Sequence, residues 1–147
     1  MRTIRELIDG REPYSVESGW SVKKVVEYLC EKGVGAAAVR EGDRAVGVFS
    51  ERDLMKRVVL AGVDPEKTTV DEVMSRGIIS VSPDEDFRVA KGQMLEKRIR
   101  HLVVVDRDGT LRGLVSMREV VEVDLTECRD LVNRLNDQYY QSALKNE

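Results

Sequence analysis

Two short stretches hold the residue types that could do chemistry. Ser50-Glu-Arg52-Asp53 follows the apolar Val46–Phe49, and Ser116-Met-Arg118-Glu119 follows Leu114-Val115. In each, a serine stands three residues before a carboxylate at an expected strand-to-helix corner. A serine there caps the helix, and a carboxylate on the first turn can accept hydrogen bonds from hydroxyl groups. The same spacing is also a capping pair, so each corner has a purely structural reading, stronger at Glu119 because glutamate is the usual capping-box partner. The most basic short stretch is Lys97, Arg98, Arg100 and His101, whereas the matching place earlier in the chain is Gly35-Ala36. Such a cluster can hold an anion or simply face solvent.

Other chemistries lack their residues. There is no Ser/His/Asp set, no Gly-x-x-x-x-Gly-Lys phosphate loop and only one histidine, while Asp84 and Asp86 lie in a turn where solvation accounts for them. The chain is therefore not expected to be an enzyme. Cys30 and Cys128 belong to no Cys-x-x-Cys pair, so neither a metal site nor a disulfide framework is expected. A net charge of −3 argues against general nucleic-acid binding. No apolar run approaches the roughly 18 residues of a spanning helix, and the charged N-terminus does not resemble a signal peptide, so a cytoplasmic protein without membrane contact is expected.

The corners must be positioned by a repeated scaffold. Thr3-Ile-Arg-Glu-Leu-Ile8 is matched by Thr69-Val-Asp-Glu-Val-Met74, 66 residues on, and Tyr14-Ser15-Val16 by Ile79-Ser80-Val81. Next come two amphipathic helices, one with Val22, Val25, Val26 and Leu29 on a face, the other with Phe87, Ala90, Met94 and Leu95. Apolar runs at Val34–Val39 and Leu102–Val105 read as buried strands, and turns at Glu41-Gly42-Asp43 and Asp106–Gly109 lead into the corner strands. After the first corner, Leu54, Met55, Val58 and Val59 are expected on the apolar side of a helix. The order helix, strand, helix, strand, strand, helix thus occurs twice, which predicts an α/β (α+β) fold of two repeats, at 1–64 and 65–123.

A separate amphipathic helix is expected over 124–147. Asp124 and Glu127 have capping-box spacing, and Leu125, Cys128, Val132, Leu135, Tyr139 and Ser142 recur in steps of three and four, as in a helix-packing seam. That seam could pack on its own domain or on a second copy.

Gly47-Val-Phe-Ser50-x-x-Asp53, Gly113-Leu-Val-Ser116-x-x-Glu119 and Leu102-Val-Val-Val-Asp106 together resemble a tandem pair of cystathionine-β-synthase (CBS) domains, a Bateman module. The resemblance covers Thr3 to about Val123. It implies two β-α-β-β-α units packed with pseudo-twofold symmetry, two clefts between them, adenosine-containing ligands such as AMP, ADP, ATP or S-adenosylmethionine, and further assembly into homodimers. It implies a regulatory role, with no cofactor, and output on an unknown effector protein in trans. By the same resemblance Asp53 holds ribose, and Ser50, Arg52, Arg100 and His101 lie near phosphate. Thr69, Met74 and Ile99 complete the first cleft. Ser116, Arg118 and Glu119 form the second, completed by Thr3, Ile8, Val34 and Gly35. The alternatives are an S-adenosylmethionine sensor and a ligand-free structural or oligomerisation module, with which Glu119 and Gly35-Ala36-Ala37-Ala38 are compatible.

Overall fold

In a computed structural model that describes residues 2–146, the repeat folds into two matching three-stranded sheets. The first unit comprises β1 (Ser15–Glu17), α2 (Val22–Lys32), β2 (Ala36–Glu41) and β3 (Arg44–Ser50), preceded by α1 (Ile4–Ile8) and followed by α3 (Glu51–Asp53). The second has β4 (Ser80–Val81), α5 (Phe87–Lys97), β5 (His101–Val105) and β6 (Leu111–Ser116), preceded by α4 (Val70–Val73) and followed by α6 (Met117–Lys145). In both, the first strand pairs parallel to the central one, which pairs antiparallel to the third. The irregularity of the hairpin falls at corresponding places, Val39/Arg40 and Val104/Val105. Gly42, at φ 65°, supplies the left-handed conformation needed to close the first hairpin in two residues.

The leading helices are exchanged between units. Val70, Val73 and Met74 are buried in the core of the first unit with Val16, Val22, Val25, Leu29 and Phe49. Ile4 is buried in the core of the second unit with Phe87, Met94, Leu102 and Val120. Backbone bridges fix the exchange, Ser21 to Thr69 and Thr3 to Asp86. A smaller cluster of Ala36, Val103 and Leu114 joins the two sheets. The small side chain of Ala36 permits that approach, and Gly47 permits another: a Cβ there would collide with the Met74 side chain and lie 3.0 Å from the Ser75 carbonyl.

Three expectations for the helices need correction. Leu95 is 60% exposed, because the core side of α5 is covered by Phe87, Ala90 and Met94 alone. After α3 the chain widens into a π-helical segment, Leu54–Val59, in which Leu60 N–H donates to the Met55 carbonyl at 3.0 Å and Val63 N–H to Val58 at 3.1 Å. Val58 is buried there, but Val59 faces solvent and Met55, 62% exposed, lines the cleft between the units. Lastly, Asp124 starts no helix: α6 runs unbroken from Met117, capped by Ser116. Asp124 instead holds Lys91 Nζ at 2.5 Å and Glu127 holds Arg88 at 3.4 Å, tying α6 to α5. At 1.5 Å per residue α6 is about 43 Å long, and from Cys128 onward its described residues are exposed.

Candidate functional site

The first corner opens onto a cleft of about 530 Å³ between the two units. One wall is the end of β3 and the start of α3, with Val48, Ser50, Glu51, Arg52 and Asp53. The other is built from Ser75, Gly77, Ile78 and Ile79, and from Arg98, Ile99, Arg100 and His101. The volume lies within the usual range for small-ligand sites.

Asp53 is the buried polar residue of this site, 7% exposed. Its Oδ2 accepts from the Ser50 N–H at 3.0 Å and the Ser50 hydroxyl at 3.2 Å, while Ser50 Oγ accepts from the Asp53 N–H at 3.4 Å. That is a reciprocal capping box, and it explains why the strand turns into helix here. The other oxygen, Oδ1, accepts from the Ser75 hydroxyl at 3.1 Å and lies 3.7 Å from Arg57 Nε. Ser75 is fixed by two backbone hydrogen bonds with Val48, both 2.9 Å, so the second unit presents its hydroxyl to the first unit's carboxylate. The carboxylate is thus both a cap and the polar floor of the cleft.

Around it the site is cationic. Arg52, Arg98 and Arg100 line the cleft, are exposed, and form no ion pair with a described residue. With Glu51 and Asp53 as the only carboxylates among the described residues of the lining, there is an excess of positive charge suited to an anion. Arg98 is held at φ 53°, the left-handed position that Gly33 occupies at the end of α2. A non-glycine residue in that conformation costs on the order of 1 kcal/mol, and it directs a guanidinium to the cleft mouth. His101 is half-buried, and desolvation, followed by repulsion from Arg100, lowers the pKa of its imidazole despite attraction from Glu51.

The structure brings together Ser50, Arg52, Asp53, Ile99, Arg100 and His101, and it does not bring Thr69 or Met74 to them. Thr69 is engaged with Glu72, which accepts from its N–H at 2.7 Å and its hydroxyl at 3.0 Å. Met74 is 3% exposed and points into the first core. The residues after it, Ser75 and Gly77–Ile79, take the place expected for them. Glu51, Ser75, Gly77 and Arg98 were not singled out as site residues from the sequence, although Arg98 belongs to the basic stretch and Ser75 directly follows the repeated helix.

At the second corner the expected set is dispersed. Gly35 lines the first cleft beside Glu51. Val34 packs on the first core, and Ile8 packs on the second, against Gly113. Thr3 bridges Asp86. Arg118 is 86% exposed and pairs with Glu122 at 3.2 Å. Glu119 accepts from the Ser116 hydroxyl at 3.1 Å and pairs with Arg11 at 2.5 Å. Among the described residues no group of His, Cys, Asp and Glu is placed to hold a metal ion, and no helix is long and apolar enough to cross a membrane.

Two sheets of identical topology with exchanged leading helices define a duplicated α/β module with a polar cleft at the unit boundary. The chain belongs to the CBS domain family, whose signature it matches twice, over residues 4–60 and 70–126. Among solved structures it is similar to a CBS-domain protein of Burkholderia ambifaria, at 30% identity and a TM-score of 0.77 over 85% of this chain and 95% of that one. It is also similar to a CBS domain protein of Pyrobaculum aerophilum complexed with AMP, at 30% identity and a TM-score of 0.73 over 80% and 89%. An uncharacterized protein of Methanopyrus kandleri is 36% identical over 95 residues, 64% of this chain and 48% of that protein. A mitochondrial CBS domain-containing protein of Arabidopsis thaliana is 30% identical over 121 residues, 79% and 58%. The chain thus spans about half the length of these curated relatives. Some relatives are enzymes: the match to an inosine-5'-monophosphate dehydrogenase of Nitrosopumilus maritimus covers 74% of this chain but 21% of that protein.

Proposed function

We propose that the protein is a regulatory adenine-nucleotide sensor, binding AMP, ADP or ATP in the first cleft and acting on a partner protein in trans. The observation that carries this reading is the gathering around one cleft of the buried Asp53 carboxylate and three guanidiniums, Arg52 beside it and Arg98 and Arg100 on the other wall, that form no ion pair with a described residue. A nucleotide has the complementary polarity, with hydroxyl donors on its ribose and negative charge on its phosphates. Ile78, Ile79 and Ile99 supply apolar surface between the two ends. The AMP complex of the 30% identical Pyrobaculum protein supports the ligand class. Three arginines favour ADP and ATP over AMP, and they disfavour S-adenosylmethionine, whose sulfonium is cationic. Ligand bound at the unit boundary biases the angle between units, and a partner that prefers one angle reads the change.

The reading includes a homodimer. Leu125, Val132, Leu135 and Tyr139 on α6 are each at least half exposed and follow the spacing of a helix-packing seam, which a second copy would cover.

The test is thermal denaturation with AMP, ADP, ATP, S-adenosylmethionine and NAD. At about 100 times its dissociation constant a ligand adds about 2.7 kcal/mol, which raises the Tm of a chain this size by roughly 5–10 °C. Shifts ordered ATP and ADP above AMP are expected. A shift with S-adenosylmethionine alone would replace the nucleotide reading, and no shift with any of the five would leave the module as a ligand-free scaffold.

A further inference from the structure

The two corners are related by the repeat, but their surroundings are not. At the first, the Val48 carbonyl accepts from the Ser75 N–H, and the Ser75 hydroxyl reaches Asp53. Gly77 follows two residues later, and a Cβ built on it would meet nothing within 4 Å, so the space beside Asp53 stays open. At the second corner Leu114 stands for Val48, Glu119 for Asp53, Asp9 for Ser75 and Arg11 for Gly77. An aspartate in place of Ser75 offers no alcohol hydroxyl to Glu119. Arg11 takes that place instead: its Nη2 donates to the Leu114 carbonyl at 2.5 Å, and its Nη1 forms an ion pair with Glu119 Oε2 at 2.5 Å without a hydrogen bond to that oxygen. Both side chains are about three-quarters buried, at 24% and 27% exposed. The guanidinium lies 5.7 Å from the Tyr14 ring centroid.

We infer that Arg11 is the internal occupant of the second cleft and restricts the protein to one nucleotide per chain. A guanidinium paired with Glu119 neutralises the carboxylate and occupies the space from which a ribose would approach it, and the longer glutamate reaches the arginine where aspartate would stop a methylene short. The positions matching Arg100 and His101 are Gly35 and Ala36, so no cation at that end compensates a nucleotide for displacing Arg11. One position of the repeat supplies the occupant itself, glycine in the open cleft and arginine in the closed one, and the Asp53/Glu119 and Arg100/Gly35 differences reinforce it.

The inference about stoichiometry rests on the nucleotide reading, whereas the seating of Arg11 does not, and the experiment separates them. In ligand-free protein, Arg11→Gly and Glu119→Gln are each expected to lower the Tm, with the double variant no lower than the worse single one. Additive losses would show that Arg11 is not seated on Glu119 and would overturn the inference whatever binds elsewhere. By titration calorimetry with AMP, the unaltered chain is expected to bind one equivalent. Arg11→Gly is expected to add a second equivalent, and Gly77→Arg to weaken the first at least tenfold. Two equivalents in the unaltered chain, or one in Arg11→Gly, would overturn the inference while leaving the nucleotide reading standing. Absence of AMP, ADP and ATP binding to the unaltered chain would sink the nucleotide reading and with it the stoichiometric claim, and the Tm cycle would still decide the seating.

Discussion

Removing the Asp53 side chain should damage stability and ligand binding separately, and the two losses can be read apart. In Asp53→Ala the Ser50 N–H and the Ser75 hydroxyl lose their acceptor, while Ser50 Oγ still caps the helix. Half of a capping box is worth about 1 kcal/mol, and a polar group left unpaired costs about 1–3 kcal/mol. Because the cleft is open to water, which can replace the lost acceptor, the lower end applies. The expected loss in ligand-free protein is about 2 kcal/mol, or about 4–8 °C in Tm for a chain of this size. Binding should suffer in addition, since a hydrogen bond to a charged group contributes about 1.5–3 kcal/mol, or roughly 10- to 150-fold in Kd. Asp53→Asn keeps acceptor capacity without the charge and should fall between. Denaturation scans without ligand and calorimetric titration with ATP measure the two quantities. An unchanged Tm would refute the role of the carboxylate in holding the corner. A lowered Tm with unchanged Kd would refute its role in binding and leave Asp53 as a cap only.

Three further predictions follow from other parts of the site and scaffold. Burial and Arg100 depress the His101 pKa below its ordinary value of 6.5. The unfolded chain therefore binds the proton more readily, and this stabilising contribution, complete above about pH 6.5, is lost as pH falls below it. Tm measured from pH 7.5 to pH 5 should fall more steeply in the unaltered protein than in His101→Gln, and parallel curves would contradict this. Arg98→Gly should relieve the left-handed strain and raise stability by up to about 1 kcal/mol in urea titration, while weakening ATP binding; a destabilised variant would show that Arg98 makes compensating contacts. Truncation after Val123 should halve the mass found by light scattering if the exposed seam of α6 joins two copies, and an unchanged mass would remove the seam from the dimer.

Local pattern made the scaffold legible. The amphipathic periods of α2 and α5, the apolar central strands and the Ser-x-x-Asp and Ser-x-x-Glu corners are short-range signals, and their recurrence some 66 residues apart ordered the fold before any contact was known. The exceptions are instructive. Asp124 with Glu127 has capping-box spacing, but a good N-cap cannot interrupt a helix that Ser116 has already started, and both carboxylates serve tertiary ion pairs instead. Met55 and Val59 fit an apolar helical face, but in the π-helical segment Val59 faces solvent and Met55 lines the cleft instead of the core.

The amino-acid sequence by itself determined that there are two units, where their corners lie, and that one end of the chain's second unit is basic. Only the tertiary structure decided which residues share a cleft. Thr69 and Met74 lie outside the cleft because α4 docks in the first core, and the bridge between Val48 and Ser75 fixes the chain so that Ser75 and Gly77 line the cleft with Asp53. Arg11 reaches Glu119 from 108 positions away. No local periodicity records such a partnership, because the direction of a side chain outside a regular element is set by what the neighbouring unit leaves room for.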